Sequence, residues 1–207
     1  MVDYPSTIVP GSPGGAHFAG ASSVRDMAID FAMAHEGGLV DHPSDPGGIT
    51  KYGVSLRYAR SKGAIRGVHA AILLNFDLDN DGDIDADDIR LLTPEKARLV
   101  YMDHWDRYGF AGVQDRHVAA KFFDLALPMG YGGASRVMQR AMRACRLDVV
   151  EDGYVGPVSR KTINQASAWN AAATMAAICA EAAGYFRDLD APDFEEGWLN
   201  RAYHWPH

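Results

Sequence analysis

Two carboxylates and a hydroxyl lie close together in segment 35–55, which reads HEGGLVDHPSDPGGITKYGVS. Glu36 precedes a pair of glycines, and Asp45 and Thr50 follow in a loop rich in proline and glycine. A carboxylic acid that donates a proton, together with a second carboxylate and a positioned water, can cleave a glycosidic bond. We therefore take Glu36, Asp45 and Thr50 as candidate catalytic residues.

An amphipathic helix is predicted to position Glu36. Ser22 or Ser23 is suited to cap this helix. The apolar residues before Glu36 recur at helical spacing: Val24, Met27, Ala28, Phe31 and Ala34. The glycine pair 37–38 is expected to end the helix and to leave Glu36 in its last turn. The partial negative charge of a helix end disfavours a charged carboxylate, as a general acid requires. The alternative is an ordinary surface glutamate at a fraying helix end.

A second candidate site is the acidic segment 77–88, DLDNDGDIDADD, which matches the spacing of a twelve-residue calcium loop. Gly82 falls at the sharp turn, Asp83 is placed to offer its backbone carbonyl, and Ile84 is the expected inward apolar residue. The remaining ligand positions are occupied by aspartates: Asp77, Asp79, Asp81, Asp85 and Asp88. The loop resembles an EF-hand, and the aspartate at its last position makes it most similar to dockerin-type loops. We predict one structural Ca²⁺ ion; the alternative is a solvated acidic loop.

The charge of the chain is concentrated in this acidic loop. The chain has 27 acidic and 20 basic residues, and seven of the acidic ones lie in the loop, which leaves 20 of each sign elsewhere. Clustered carboxylates repel one another unless a cation neutralises them. No basic patch is present, so nucleic-acid binding is disfavoured.

The two cysteines, Cys145 and Cys179, lie in alanine-rich helical patterns and are expected to be buried thiols rather than a disulfide.

Several segments together resemble glycoside hydrolase family 108, the N-acetylmuramidases of phage endolysins and their bacterial relatives. The strongest is EGGLVDHPSDPGGITKYGVS at 36–55, whose spacing of glutamate, aspartate and threonine is also similar to phage-type lysozymes. Four further segments carry the likeness along the chain: LVYMDHWDRY, KFFDLALPMGYGGASRVMQRAM, EDGYVGPVSRKTI and FEEGWLNRAYHW. The chain departs from the family at Pro128-Met129, where asparagine and serine are usual.

The resemblance implies hydrolysis of the β-1,4 bond between N-acetylmuramic acid and N-acetylglucosamine in bacterial peptidoglycan. In that interpretation Glu36 is the general acid, Asp45 stabilises positive charge or orients water, and Thr50 holds the water, which favours inversion. Candidate substrate contacts are Tyr52, Tyr101, Trp105 and Asp124. Aromatic residues at helical spacing equally suit a core, and Asp124 equally suits a salt bridge.

The expected fold is mainly α, a two-lobed lysozyme-like fold with a small loop or β element at the cleft and an EF-hand-like insertion at about 68–92. Residues 1–21 are expected to form a flexible tail, 22–116 a catalytic lobe, and 117–207 a helical lobe similar to peptidoglycan-binding segments. Short helices are predicted at 55–62 and 68–75, and longer ones at 118–127, 134–145 and 170–189. Another helix is expected to begin at Thr93 as N-cap, with Pro94 at its first position.

Residues 1–21 lack a secretory signal pattern, and no apolar run is long enough for a membrane anchor. We therefore expect a monomer that stays in the host cytoplasm until a holin releases it to the periplasm and cell wall.

Two alternatives to the muramidase activity stay open. One is a peptidoglycan-binding module that has lost catalysis. The other is a lytic transglycosylase, which cleaves the same bond without water and leaves an anhydro sugar.

Overall fold

The structure is a computed structural model that describes residues 23–41, 48–67 and 72–206. This part of the chain is mostly helical, which confirms the predicted mainly α class. Its helices are α1 (Val24–Met33), α2 (Leu56–Lys62), α3 (Ala86–Leu91), α4 (Pro94–Tyr108), α5 (Arg116–Ala144), α6 (Pro157–Arg187) and α7 (Pro192–Tyr203). Its strands are β1 (Leu39–Val40), β2 (Thr50–Lys51), β3 (Val54–Ser55), β4 (Ala64–Arg66) and β5 (Ile72–Asn75).

The described residues divide into two compact units. The first contains residues 33–107, with all five strands and α2 to α4. The second contains residues 23–32 and 108–206, so α1 groups with the three long C-terminal helices. The lobes predicted from the sequence differ from these units in two respects. The predicted lobes meet after residue 116, whereas the second unit begins at residue 108. The prediction also groups α1 with the N-terminal lobe.

The first unit is built around a three-stranded antiparallel sheet in the order β1-β2-β3. Thr50 in the central strand pairs with Val40 on one side and with Ser55 on the other. Tyr52 and Gly53 form the two-residue turn of the β2–β3 hairpin, with φ values of 50° and 74°. Positive φ at both positions is the geometry that a tight hairpin requires. The small β element expected next to Glu36 is therefore present.

The helix before Glu36 ends earlier than expected. Ser23 caps α1, as its Oγ accepts a hydrogen bond from the Asp26 amide at 3.1 Å. The helix stops at Met33, and the Glu36 amide then donates to the Met33 carbonyl at 3.1 Å. A tightened three-residue turn thus satisfies a terminal carbonyl before the glycine pair is reached. Glu36 consequently lies in the turn after the helix, and its predicted place in the last helical turn is wrong.

The predicted helix at 68–75 is wrong over its described part. Residues 72–75 form β5, which pairs antiparallel with β4 and places Leu74 opposite Ile65. Both of these side chains are buried. A short apolar run does not distinguish helix from strand by itself, and here the available partner strand decides. Residues 68–71 lie outside the described part of the chain.

The acidic loop therefore joins a strand to a helix instead of joining two helices. It leaves β5 and enters α3, whose N-cap is Asp85. The Asp85 side chain accepts from the first turn of α3, and the Asp88 side chain accepts from the Asp85 amide, which completes a capping box. The helix–loop–helix arrangement of an EF-hand is thus not formed, although Gly82 does adopt a positive φ of 98° at the predicted sharp turn.

Other predicted helix boundaries agree closely with the structure. Ser55 caps α2 through a 3.2 Å bond from the Tyr58 amide, and Gly63 ends it. Thr93 and Pro94 open α4 as expected. In the second unit, the break predicted at 128–133 is a kink at Gly130 within α5, and α6 is kinked at Asn170, where a separate helix was expected. No helix in the described part of the chain is both long and apolar enough to cross a bilayer.

Candidate active site

Glu36 lies against the turn of the β2–β3 hairpin. A methyl group built on Gly53 would be 2.8 Å from Glu36 Oε2 and closer still to the Tyr101 hydroxyl. The Tyr101 hydroxyl donates a 2.8 Å hydrogen bond to the Tyr52 carbonyl, which holds the same turn from α4. Because Gly53 has no side chain, the carboxylate and the phenol can both approach the turn. The structure therefore brings together Glu36, the hairpin turn and Tyr101.

Thr50 is buried in the central strand, with 4% of its surface exposed. Its hydroxyl donates to the Gly48 carbonyl at 3.2 Å. The hydroxyl proton is therefore committed to the backbone, while the oxygen retains lone pairs that can accept a hydrogen bond from water. Asp45, the remaining candidate catalytic residue, lies outside the described residues.

Two aromatic candidates for sugar stacking are buried in the first unit. Tyr101 is 3% exposed and Trp105 is 4% exposed, so neither ring presents a free face to a ligand in this structure. This supports the alternative that the apolar face of α4 belongs to the core. Tyr52 is half-buried, and Lys51 Nζ lies 5.6 Å from the centre of its ring. Of the predicted aromatic contacts, Tyr52 alone keeps an accessible ring.

Asp124 lies in the second unit and is completely buried. Its Oδ1 accepts a 2.9 Å hydrogen bond from Arg201 Nε, and its Oδ2 lies 3.7 Å from Lys121 Nζ. Lys121 also donates to the carbonyls of Arg201 and His204, so the three charged residues attach α7 to α5. Burial without a partner would be very costly for each charge. Asp124 therefore has a structural role here, and the expected contact with substrate is not supported.

The six predicted metal-binding aspartates divide into two groups. The carboxylates of Asp77, Asp79 and Asp81 lie within 4.8 Å of one another, and the same is true of Asp83, Asp85 and Asp88. In the first group, Asp77 Oδ1 is buried and accepts no hydrogen bond from any described residue. A buried carboxylate oxygen without a donor is costly, and a cation would relieve that cost. The first group thus fits a hard cation with oxygen ligands.

Asp88 in the second group is already engaged. It is 1% exposed, and its two oxygens accept from the Leu78 amide at 2.5 Å and the Asp85 amide at 2.8 Å. The negative charge of Asp81 is the main cause of a raised pKa at Asp83. Mutual repulsion therefore persists in the folded loop, and a bound cation would reduce it.

The acidic loop is connected to the catalytic sheet through α3. Arg90 in α3 forms ion pairs with Asp87 at 2.6 Å and with Asp41 at 3.3 Å, just beyond β1. Lys51, next to Thr50 in β2, donates a hydrogen bond to the Arg90 carbonyl. The end of α3 thus contacts both ends of the loop that joins β1 to β2. Sequence reasoning missed this link, because it depends on tertiary contacts over about 40 to 50 positions along the chain.

A half-buried histidine joins two helices of the first unit. His104 Nε2 lies 3.1 Å from the Tyr58 hydroxyl, and the two rings pack edge to face. Burial lowers the His104 pKa from 6.5 to about 4. His104 is therefore neutral at physiological pH and joins α2 to α4 beside the site.

The segment EDGYVGP in the second unit forms a turn organised by the buried side chain of Gln139. Its Nε2 donates to Asp152 Oδ1 at 2.7 Å and to the Tyr154 carbonyl at 3.1 Å, while its Oε1 accepts from the Gly153 amide at 3.0 Å. The hydrogen bond from Gln139 is the main cause of a lowered pKa at Asp152. The segment is therefore a structural turn before α6. Cys145 and Cys179 are free thiols as expected, but only Cys179 is buried, whereas Cys145 is half-buried.

The candidate catalytic segment falls inside a known family profile. Residues 29–130 match the family model Glycosyl hydrolase 108. The Glycosyl hydrolase 108 match contains Glu36, Thr50, the hairpin turn and Tyr101, and it also runs through the acidic loop. No curated protein matches the chain.

The fold is shared with a solved protein. SagA of Brucella abortus superposes with a TM-score of 0.59 at 21% sequence identity, over 86% of this chain and 88% of that chain. At this level of identity the likeness concerns the fold alone. It covers both units of the chain, whereas the family match ends shortly after the start of the second.

Proposed function

We propose that this protein is a peptidoglycan hydrolase of the muramidase type, which cleaves the β-1,4 bond between N-acetylmuramic acid and N-acetylglucosamine. The observation that carries the proposal is the position of Glu36 against a hairpin turn within the segment that matches Glycosyl hydrolase 108. A carboxylic acid on a rigid backbone element is suited to protonate the oxygen of a leaving sugar.

Glu36 is proposed as the general acid. Thr50 is proposed to accept a hydrogen bond from the attacking water, since its own proton is held by the Gly48 carbonyl. Asp45 is proposed to stabilise the positive charge that develops on the sugar ring or to orient the water. A water held by a hydroxyl, without a carboxylate nucleophile, favours inversion at the anomeric carbon.

We also propose that the acidic loop binds one Ca²⁺ ion with a structural role. The support is the group formed by Asp77, Asp79 and Asp81, together with the buried Asp77 oxygen, which accepts no hydrogen bond within the part of the chain that the structure describes. Asp83, Asp85 and Asp88 are the further candidate ligands, Asp83 through its carbonyl. A bound ion would fix the start of α3, and through Arg90 it would fix the contacts of that helix with Asp41 and Lys51.

Product analysis tests the activity. Purified peptidoglycan is digested with the protein, and the soluble fragments are analysed by mass spectrometry before and after borohydride reduction. A muramidase leaves reducing N-acetylmuramic acid ends, which gain two hydrogens on reduction. Anhydro-muramic ends would identify a lytic transglycosylase instead. Binding to the wall without soluble fragments would show a module that has lost catalysis. Proton NMR of the first product formed distinguishes inversion from retention.

A further inference from the structure

A surface cavity of about 740 Å³, open to solvent, lies in the first unit, and none of its described lining residues belongs to the β2–β3 hairpin. It is lined by the C-terminal end of α2, by the β4–β5 hairpin and by parts of the acidic loop. This volume is within the range of ligand sites in proteins. The calcium proposal involves the acidic-loop side of this cavity, but neither that proposal nor the catalytic one accounts for the side formed by α2 and β4.

The cavity combines side chains of both charges. Its cationic residues are Arg60 and Lys62 from α2 and Arg66 from β4, all three of which are exposed. Its anionic residues are Asp77 and Asp83 from the acidic loop. None of the described residues that line it is aromatic. Neutral sugars are usually held on aromatic faces, so this lining does not suit a sugar subsite.

The cationic side of the cavity is held in place by contacts within the unit. Arg60 Nε donates a 2.6 Å hydrogen bond to the Ile84 carbonyl, which joins the end of α2 to the acidic loop. Lys62 Nζ lies 5.7 Å from the centre of the Tyr58 ring in the same helix. Positioned cations lose less entropy when they bind a carboxylate than mobile ones do. The cavity is thus partly preorganised for an anionic group.

The helix α2 joins this cavity to the catalytic sheet. At its start the Leu56 amide donates to the Ile49 carbonyl at 2.9 Å, next to Thr50. Its seven residues span about 10 Å at 1.5 Å per residue. The cavity therefore begins roughly one short helix away from the strand that carries Thr50. An extended peptide covers about 3.3–3.6 Å per residue, so a chain of three residues is long enough to span this distance.

We propose that this cavity binds the peptide stem of peptidoglycan and recognises its carboxylates through Arg60, Lys62 and Arg66. A short peptide with separate carboxylates and an amine matches a site that contains both charges, whereas a polyanion would be repelled by the Asp83 carboxylate, which the calcium proposal leaves uncommitted. The inference rests on the proposed function for the identity of the ligand. It adds a reason for the enzyme to prefer glycan strands that carry peptides.

Binding of the isolated stem peptide tests the cavity separately from catalysis. The probe is the soluble tetrapeptide released from peptidoglycan by an amidase, titrated into Glu36→Gln protein by calorimetry. In that background the double substitution Lys62→Gln and Arg66→Gln is expected to weaken binding roughly tenfold or more, because two charge-assisted contacts are lost. The matched control, Lys161→Gln with Arg187→Gln, removes two exposed cations from α6 and should bind as tightly as the parent protein.

A kinetic comparison gives the second measurement. Hydrolysis is measured on intact glycan strands and on strands stripped of their stems by the amidase. We compare kcat/KM for intact strands with kcat/KM for stripped strands. The ratio of intact to stripped should fall in the Lys62/Arg66 variant and stay constant in the Lys161/Arg187 control. If the parent protein releases no reducing ends, the muramidase proposal fails while peptide binding still tests the cavity. Equal peptide affinity in the parent and the Lys62/Arg66 variant, or undiminished binding of a peptide with amidated carboxylates, would overturn the inference.

Discussion

Glu36 and Gly53 approach so closely that no side chain fits at position 53. A β-carbon at this residue would lie 2.8 Å from Glu36 Oε2, and the Gly53 backbone has a φ of 74°. Two independent requirements therefore converge on one glycine. The hairpin turn needs a left-handed conformation, and the proposed general acid needs the space that a methyl group would occupy.

Replacement of this glycine separates the two requirements. Gly53→Ala is expected to lower the free energy of unfolding by about 1 kcal/mol for the left-handed conformation, and to reduce activity at least roughly tenfold by displacing Glu36. Gly109→Ala is the matched control, because Gly109 has a φ of 67° and an added carbon there would meet the nearest described atom, Arg160 Nη2, at 3.7 Å, an ordinary van der Waals distance. It should show the stability cost without the loss of activity. Similar activities in the two variants would contradict the proposed placement of Glu36.

Removal of the proton donor should abolish catalysis without unfolding the protein. Glu36→Gln keeps the size of the side chain and removes its acidity, so we expect a loss of about 10²–10⁴-fold in kcat. The thermal midpoint should change little. Glu95→Gln, on the exposed first turn of α4, serves as the control for loss of one carboxylate in the same unit. Substantial lysis by the Glu36 variant would exclude this residue as the acid.

Stability should depend on pH through His104. Since burial lowers its pKa from 6.5 to about 4, the folded state favours the neutral ring. The unfolded chain therefore binds a proton first as the pH falls, and the free energy of unfolding should decrease by up to about 3 kcal/mol between pH 7 and pH 4. Denaturant titrations across this range measure the slope.

The contribution of this histidine is isolated by difference. His104→Gln retains a polar group near the Tyr58 hydroxyl but cannot titrate, so its stability should fall less steeply over the same pH range. Groups common to both proteins cancel in the comparison. Parallel slopes for the two proteins would show that His104 does not titrate as its burial indicates.

Calcium should stabilise the protein if the acidic loop binds it. A ligand at a concentration of 100 times its Kd adds about 2.7 kcal/mol, so the thermal midpoint should rise with calcium and fall with EGTA. Terbium luminescence provides a readout that does not depend on activity. The double substitution Asp77→Asn and Asp81→Asn should abolish both the rise in thermal midpoint and the terbium signal. The control changes two exposed carboxylates of the second unit, Asp148→Asn and Asp193→Asn, and should leave both readouts intact. A midpoint insensitive to calcium in the unsubstituted protein would exclude the ion.

The second unit should depend on Gln139 for stability. Gln139→Leu preserves volume but removes the hydrogen bonds to Asp152, Gly153 and Tyr154, so we expect a loss of roughly 2–4 kcal/mol. The control is Gln165→Leu on the exposed face of α6, with an expected change within about 0.5 kcal/mol. Denaturant unfolding measures both. Equal stabilities would show that the turn is held by other contacts.

Local chemistry was sufficient to predict most helix boundaries. Ser55 and Gly63 delimit α2, and Thr93 with Pro94 opens α4, because capping side chains and backbone preferences act within a few residues. The sequence alone also identified the segment that contains Glu36 and Thr50, together with the spacing of the acidic loop. These features depend on residue type and order, which a sequence contains in full.

Tertiary structure decided what those segments contact. The run 72–75 became a strand because β4 offers it a partner, and the acidic loop consequently lacks the entering helix of an EF-hand. Tyr101 and Asp124 were candidates for substrate contact, yet one supports a hairpin turn and the other is buried in an ion-pair network. Burial and ion pairing depend on residues far apart in sequence. The local sequence pattern therefore could not show whether these two side chains contact substrate or belong to the core. The same limit hid the approach of Glu36 to Gly53, a contact made only when the hairpin folds back on the turn after α1.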